Sequence, residues 1–221
     1  GGIYVTHMRG ETANLIDSAL TEALDISSRS GTALQISHLK VIGTTEESKG
    51  KIAGVIRRIE TARDQGLEVN FDCYPYTEGS TLLSSLLPMW TRIGGEDGLL
   101  RNLKHKESRA KIRQDIETDI TGWENWATSC GFKSIKIASL GRVKNFCYIG
   151  KDLLSFALER GQDPIDALFD ILTEESSGAI MVFTMMIEED MLTALIHPLA
   201  MIGSDAIPCP PGQGRPHPRG Y

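Results

Sequence analysis

The sequence predicts an α/β protein built on parallel strands. Three observations carry the prediction. Short β-rich runs alternate with amphipathic stretches through the first third of the chain. The connections between them are short, as in βαβ units. Several of the strand-like runs end on a residue with chemistry: His7, His38 and Asp205.

The first strand is Ile3 to Thr6, ending in His7. A helix follows, with Leu15, Ile16, Ala19, Leu20, Ala23 and Leu24 at spacings of three and four. Thr12 is the expected cap at its start, and Gly31 suits the left-handed position past its end. Ala33 to Ser37 reads as the second strand and ends in His38. The second helix places Ile52, Val55, Ile56, Ile59 and Ala62 on one face and stops before Gly66. A third strand, Leu67 to Cys73, leads into Tyr74-Pro75-Tyr76. Strand, helix, strand, helix, strand leaves two architectures open, a doubly wound open sheet and a (β/α)8 barrel. No G-x-G-x-x-G follows the first strand, which counts against a nucleotide-binding sheet.

From Thr77 to about Gly150 the rhythm breaks. This stretch holds a turn-rich start, a charged helix over Leu99 to Ile120, the three tryptophans and a strand at Ile135 to Ser139. It reads as an insertion packed over one end of the core. After Lys151 the alternation resumes. Helices are expected at Asp152 to Glu159, at Pro164 to Glu174 with proline in the first turn, and at Glu188 to Leu195. Strands are expected at Ala179 to Thr184 and at Leu199 to Gly203, the latter ending in Ser204-Asp205. The domain reading is therefore residues 1–76 as barrel-type βα units, 77–150 as the insertion, and 151–221 as the last βα units.

Composition narrows the function classes. Apolar residues make up 41 % of the 221 and charged residues 24 %, enough for a sizeable core. The net charge of −6, with no basic run, argues against nucleic acid as a partner. No apolar run reaches the ~18 residues of a membrane span. The four cysteines form no C-x-x-C pair, and free thiols in a reducing cytoplasm are the simplest expectation. The opening Gly1-Gly2-Ile3-Tyr4-Val5 reads as a strand already under way, so the chain is expected to be a C-terminal piece of something longer.

In a parallel α/β fold the strand C-termini share one side, and that side carries the active site. His7, His38 and Asp205 each follow an apolar β run. A lone strand-end histidine is ordinarily a satisfied structural residue, and a strand-end aspartate often caps a helix. Two imidazoles and a carboxylate on the same side instead suit a hydrolytic zinc centre with a position left open for water. Lys40, two residues past His38, is either an ordinary loop lysine or a cation for a substrate carboxylate. Tyr74 and Tyr76 either line a pocket or pack at the rim. His105, His197 and His217 carry no comparable signal.

The runs Ile3-Tyr4-Val5-Thr6-His7-Met8-Arg9, Gln35-Ile36-Ser37-His38-Leu39-Lys40, Asp72-Cys73-Tyr74-Pro75-Tyr76-Thr77, Met201-Ile202-Gly203-Ser204-Asp205 and His217-Pro218-Arg219 occur in that order along the chain. Together they resemble the N-acyl-D-amino-acid deacylases, or D-aminoacylases, of the amidohydrolase superfamily. The resemblance implies a partial TIM-like (β/α)8 barrel, its later strands, with an inserted helical segment. It implies hydrolysis of N-acyl-D-amino acids to a carboxylate and a free D-amino acid. It implies one tightly held zinc on His7 and His38, with room for a second, weaker site. Asp205 would be the catalytic acid/base. Lys40, Tyr74, Ser80 and Arg219 would hold the substrate, with Lys40 and Arg219 on its carboxylate. The sequence departs from the family in lacking the early H-x-H pair and the bridging cysteine, and in carrying Ala206 where glycine is usual. A hydantoinase-like cyclic amide hydrolase and a non-catalytic binding fragment are the competing readings.

Overall fold

The structure, a computed structural model, describes residues 2–118, 120 and 122–206. In chain order the elements are β1 (Ile3–Thr6), α1 (Ile16–Ser30), β2 (Ala33–Ile36), α2 (Lys51–Asp64), β3 (Val69–Cys73) and β4 (Glu78–Leu82). Then come α3 (Gly95–Lys104), α4 (Lys106–Thr118), α5 (Trp126–Ser129), β5 (Ile135–Ser139), α6 (Leu153–Glu159) and α7 (Pro164–Glu174). The last are β6 (Ile180–Thr184), α8 (Glu188–Leu195) and β7 (Ala200–Ile202). They divide into two compact units. Among the described residues, the first takes 2–41, 46–77 and 186–206. The second takes Ile42–Thr45 and Glu78–Met185.

The first unit is a parallel sheet in the order β1-β2-β3-β7. Its register aligns Thr6 with Ile36, Ile36 with Phe71 and Cys73 with Ile202, so the four C-terminal ends emerge along one edge. Helices α1 and α2 cover one face. They bury Ile16, Ala19, Leu20 and Ala23 from α1 and Ile52, Val55, Ile56 and Ile59 from α2. These pack with Leu34, Ile36, Val69, Phe71 and Cys73 of the strands. Each fully buried aliphatic or aromatic side chain contributes about 1.5–3 kcal/mol relative to exposure, so this helix-covered face is what holds the sheet. The opposite face carries Val5, Gln35, Asn70, Asp72 and Met201 by strand alternation.

Local chemistry sets the helix ends. Gly31 closes α1 at φ 64° and donates its N–H to the Ser27 carbonyl, as its position predicted. Thr12 does not cap α1 with its side chain. The helix begins at Ile16, and the Thr12 hydroxyl donates instead to Asn14 Oδ1, while the Thr12 carbonyl accepts from Leu15 and Ile16.

The second unit is organised differently. Strands β4, β6 and β5 form an antiparallel sheet with β6 in the centre. The β-rich run after Ala179 is thus a strand, but it pairs antiparallel with β4 and β5 rather than resuming a parallel alternation. Gly79 in β4 packs closely, since a Cβ there would stand 2.5 Å from the Met185 thioether and that flexible side chain would have to shift. The charged stretch forms two helices rather than one. The chain breaks at His105, whose ψ of 128° is extended and whose N–H turns back to the Asn102 carbonyl. Helix α7 starts as expected, with Asp163 accepting from the Ile165 N–H and Pro164 in the first turn. Among the described residues no helix is long and apolar enough to cross a membrane.

Candidate metal centre

Residues immediately past the strand ends of the first unit form the candidate site. His7 follows β1 and His38 lies two residues past β2. His7 Nδ1 stands 3.0 Å from His38 Nε2, and the two rings meet edge-on with centroids 4.7 Å apart. Two imidazole nitrogens on one zinc, each at about 2.0–2.1 Å, are roughly 3.3 Å apart at the tetrahedral angle. The observed separation fits a shared cation. His7 and Asp205 are both open to solvent, which leaves room for water and substrate.

The backbone at His38 is left-handed, with φ 40°. Asp72 of β3 pins this turn. Its Oδ1 accepts from the His38 N–H at 2.8 Å, its carbonyl accepts from Leu39 at 2.7 Å, and its Oδ2 accepts from Gln35 Nε2 at 2.7 Å. Asp205, three residues past β7, is also left-handed at φ 51°. Unfavourable backbone of this kind persists where the surroundings over-determine it, and it concentrates at functional sites. Asp72→Ala removes both side-chain acceptors and is expected to cost about 1–3 kcal/mol of folding stability. Urea unfolding of the variant measures it, and an unchanged midpoint would show that Asp72 does not hold the turn.

The structure brings Lys40 to His38, but as a buried residue, not an exposed loop lysine. Its ammonium lies 2.9 Å from Glu11 Oε1, 2.8 Å from Glu11 Oε2, 2.8 Å from His38 Nδ1 and 3.1 Å from the His38 carbonyl. Tyr74 is buried beside them. Its ring is 6.4 Å from that of His38, and the Lys40 ammonium is 5.7 Å from its centroid. Ser80 belongs to β4 of the second unit. Arg219 and His217 lie outside the described residues. His105 is exposed at the helix break, and His197 pairs with Glu60 and stacks on Phe71.

Sequence reasoning missed Glu11. It is 1 % exposed, and its Oε1 is 3.2 Å from His38 Nδ1. His7, Glu11 and His38 form a potential ligand cluster, with donor atoms within 4.8 Å of one another. The available signal was charge placement. An acid four residues past one strand-end histidine and a base two residues past the next come together in a parallel register. Asp72 was visible only as part of a run, without its hydrogen-bonding role.

Electrostatics suit a cation. Burial of one side of the His7 ring lowers its pKa; His38 and Lys40 lower it further against the opposing pull of Glu11 and Asp205. The neutral ring keeps a lone pair for a metal. Burial alone would raise the Glu11 carboxyl, but Lys40 and the two imidazoles outweigh it and hold it below the usual carboxylate range. Cys73 is no candidate ligand. Its sulfur faces the Met201 carbonyl, and burial pushes its thiol up to about 11.

No family model matches the chain. Its solved structural neighbours include a D-aminoacylase whose crystal structure defines a subset of the amidohydrolases, with a TM-score of 0.62 and 27 % identity over 99 % of this chain and 35 % of that one. They also include N-acyl-D-glutamate deacylase from Bordetella bronchiseptica complexed with zinc and a phosphonate inhibitor. Its TM-score is 0.65, at 24 % identity over 98 % of this chain and 34 % of that one. The fold is thus shared with amidohydrolases. Among curated sequences, the chain is homologous to D-aminoacylase of Alcaligenes xylosoxydans xylosoxydans, at 30 % identity, and to N-acyl-D-glutamate deacylase of the same organism, at 27 %. Each match covers 99 % of this chain and 34 % of the relative, so the chain spans about a third of the length of the proteins it matches.

Proposed function

We propose that this chain contributes to the active site of a zinc-dependent amidohydrolase that removes the acyl group from N-acyl-D-amino acids. The reading rests above all on one observation: two histidine nitrogens 3.0 Å apart at the C-terminal edge of a parallel sheet. Homology to enzymes named for that activity supports it. On this reading the four parallel strands are the later part of a (β/α)8 barrel, and the segment at 77–150 is an insertion in it.

His7 and His38 would hold the ion. When bound, zinc would polarise the acyl carbonyl and lower the pKa of a coordinated water toward about 7. Asp205 takes the proton from the attacking water and passes it to the departing amine, which leaves poorly as an anion. Tyr74 holds the substrate, with Lys40 on its α-carboxylate; the resemblance assigns Ser80 to the substrate and Arg219 to its carboxylate as well. Lys40 serves there by exchanging one of its protein acceptors for the substrate. Two carboxylate anchors and the scissile carbonyl give three reference points, enough to select one hand.

The test is hydrolysis of N-acetyl-D- against N-acetyl-L-amino acids by the whole enzyme. Release of the D-amino acid at a rate at least tenfold above the L-form is expected. Equal rates, or no turnover of either, would refute the assignment.

A further inference from the structure

We propose that Glu11 is a positioning residue that fixes which nitrogen of His38 faces the cation. The inference rests on the reading of His7 and His38 as metal ligands, and extends it to a residue behind them.

His38 spans two environments. Its Nε2 faces His7 at 3.0 Å, and its Nδ1 faces Glu11 Oε1 at 3.2 Å and the Lys40 ammonium at 2.8 Å. A neutral imidazole carries one ring hydrogen. A cation shared with His7 takes the lone pair of Nε2, so the hydrogen must sit on Nδ1. That N–H needs an acceptor. Lys40 has only donors and favours the opposite tautomer, with a lone pair on Nδ1. Glu11 faces Nδ1 at 3.2 Å, beside the Lys40 donor at 2.8 Å, and its carboxylate is the acceptor that a ring hydrogen on Nδ1 needs. Metal-bound histidines generally donate their second ring N–H to such a partner.

Glu11 belongs to the ligand cluster, but both of its oxygens engage the Lys40 ammonium and its Oε1 meets His38 at Nδ1, so it is assigned to the support of His38 and not to the cation. Side-chain exposures of 2 % for Glu11 and 5 % for Lys40 mean that leaving this pair would strand a buried charge. Lys40 thus serves as the buried counter-ion of the Glu11 carboxylate.

The experiment uses the full chain and Zn²⁺, with affinity read by competition against a chromophoric chelator. The variants are Glu11→Gln, His38→Ala, and the double variant Glu11→Leu with Lys40→Met. The double variant replaces the buried pair with apolar side chains of similar size, which proteins often tolerate, so it guards against simple loss of folding. Glu11→Gln and the double variant are expected to bind Zn²⁺ about 10- to 100-fold more weakly than the native chain. Nitrogen-15 spectra of the zinc-loaded native chain are expected to show His38 protonated at Nδ1. Native affinity in both Glu11 variants, or protonation at Nε2, overturns the inference and leaves the metal site standing. A loss in Glu11→Gln as complete as in His38→Ala makes Glu11 a direct ligand and also overturns it. A native chain that takes up no Zn²⁺ removes the metal reading, and this inference with it.

Discussion

Replacing Asp205 by alanine in the whole enzyme is expected to lower kcat by about 10²–10⁴-fold, the usual contribution of a positioned proton-transfer group. The carboxylate stands past the end of β7, on the same sheet edge as His7 and His38, and its charge acts directly on the His7 ring. It is exposed, so the variant is expected to fold. Substrate binding relies on other groups, so KM should change little and kcat/KM should fall with kcat. Zinc content should be retained, because the imidazoles remain. A folded, metal-loaded variant that keeps a tenth or more of the native kcat would remove Asp205 from the chemistry.

Lys40→Ala is expected to act first on stability, by about 3–5 kcal/mol. The reason lies in Glu11. Its carboxylate is almost wholly enclosed, and the Lys40 ammonium bonds both of its oxygens. Without the ammonium an uncompensated charge is left in the interior, which costs far more than a surface pair is worth. A role for Lys40 on the substrate carboxylate would appear separately, as a raised KM in the fraction that stays folded. Chemical denaturation followed by kinetics on the folded protein separates the two effects. A loss of stability below about 1 kcal/mol would mean that the buried pair is relaxed in solution and that Glu11 has another partner.

Much of the first unit was legible because its apolar residues repeat with helical or strand spacing. Helix α2, with Ile52, Val55, Ile56 and Ile59 buried, is a direct example. The common strand-end location of His7, His38 and Asp205 was legible for the same reason. Spacing does not reveal the direction in which a strand pairs, so β6 was visible as a strand but its antiparallel partners were not. Strand β4, with the run Glu78-Gly79-Ser80-Thr81-Leu82, has the composition of a turn and becomes a strand by pairing with β6. The charged helix looked continuous because its polar residues carry no punctuation at His105. Glu11 and Asp72 were hidden for a different cause. Each acts across the sheet on a residue at least 27 positions away, and only the register of neighbouring strands creates that proximity.

The backbone at position 38 limits what any redesign of the centre can achieve. Few side chains other than glycine sit comfortably at positive φ, and those that do best are asparagine, aspartate and histidine. Of these, histidine alone supplies a nitrogen donor with a second ring atom left for a supporting partner. Exchanging it for cysteine or glutamate to attract a different ion would therefore change the ligand and disturb the peptide path together. On the proposed metal reading, a change of ligand is more readily made at position 7, which continues from an ordinary extended strand.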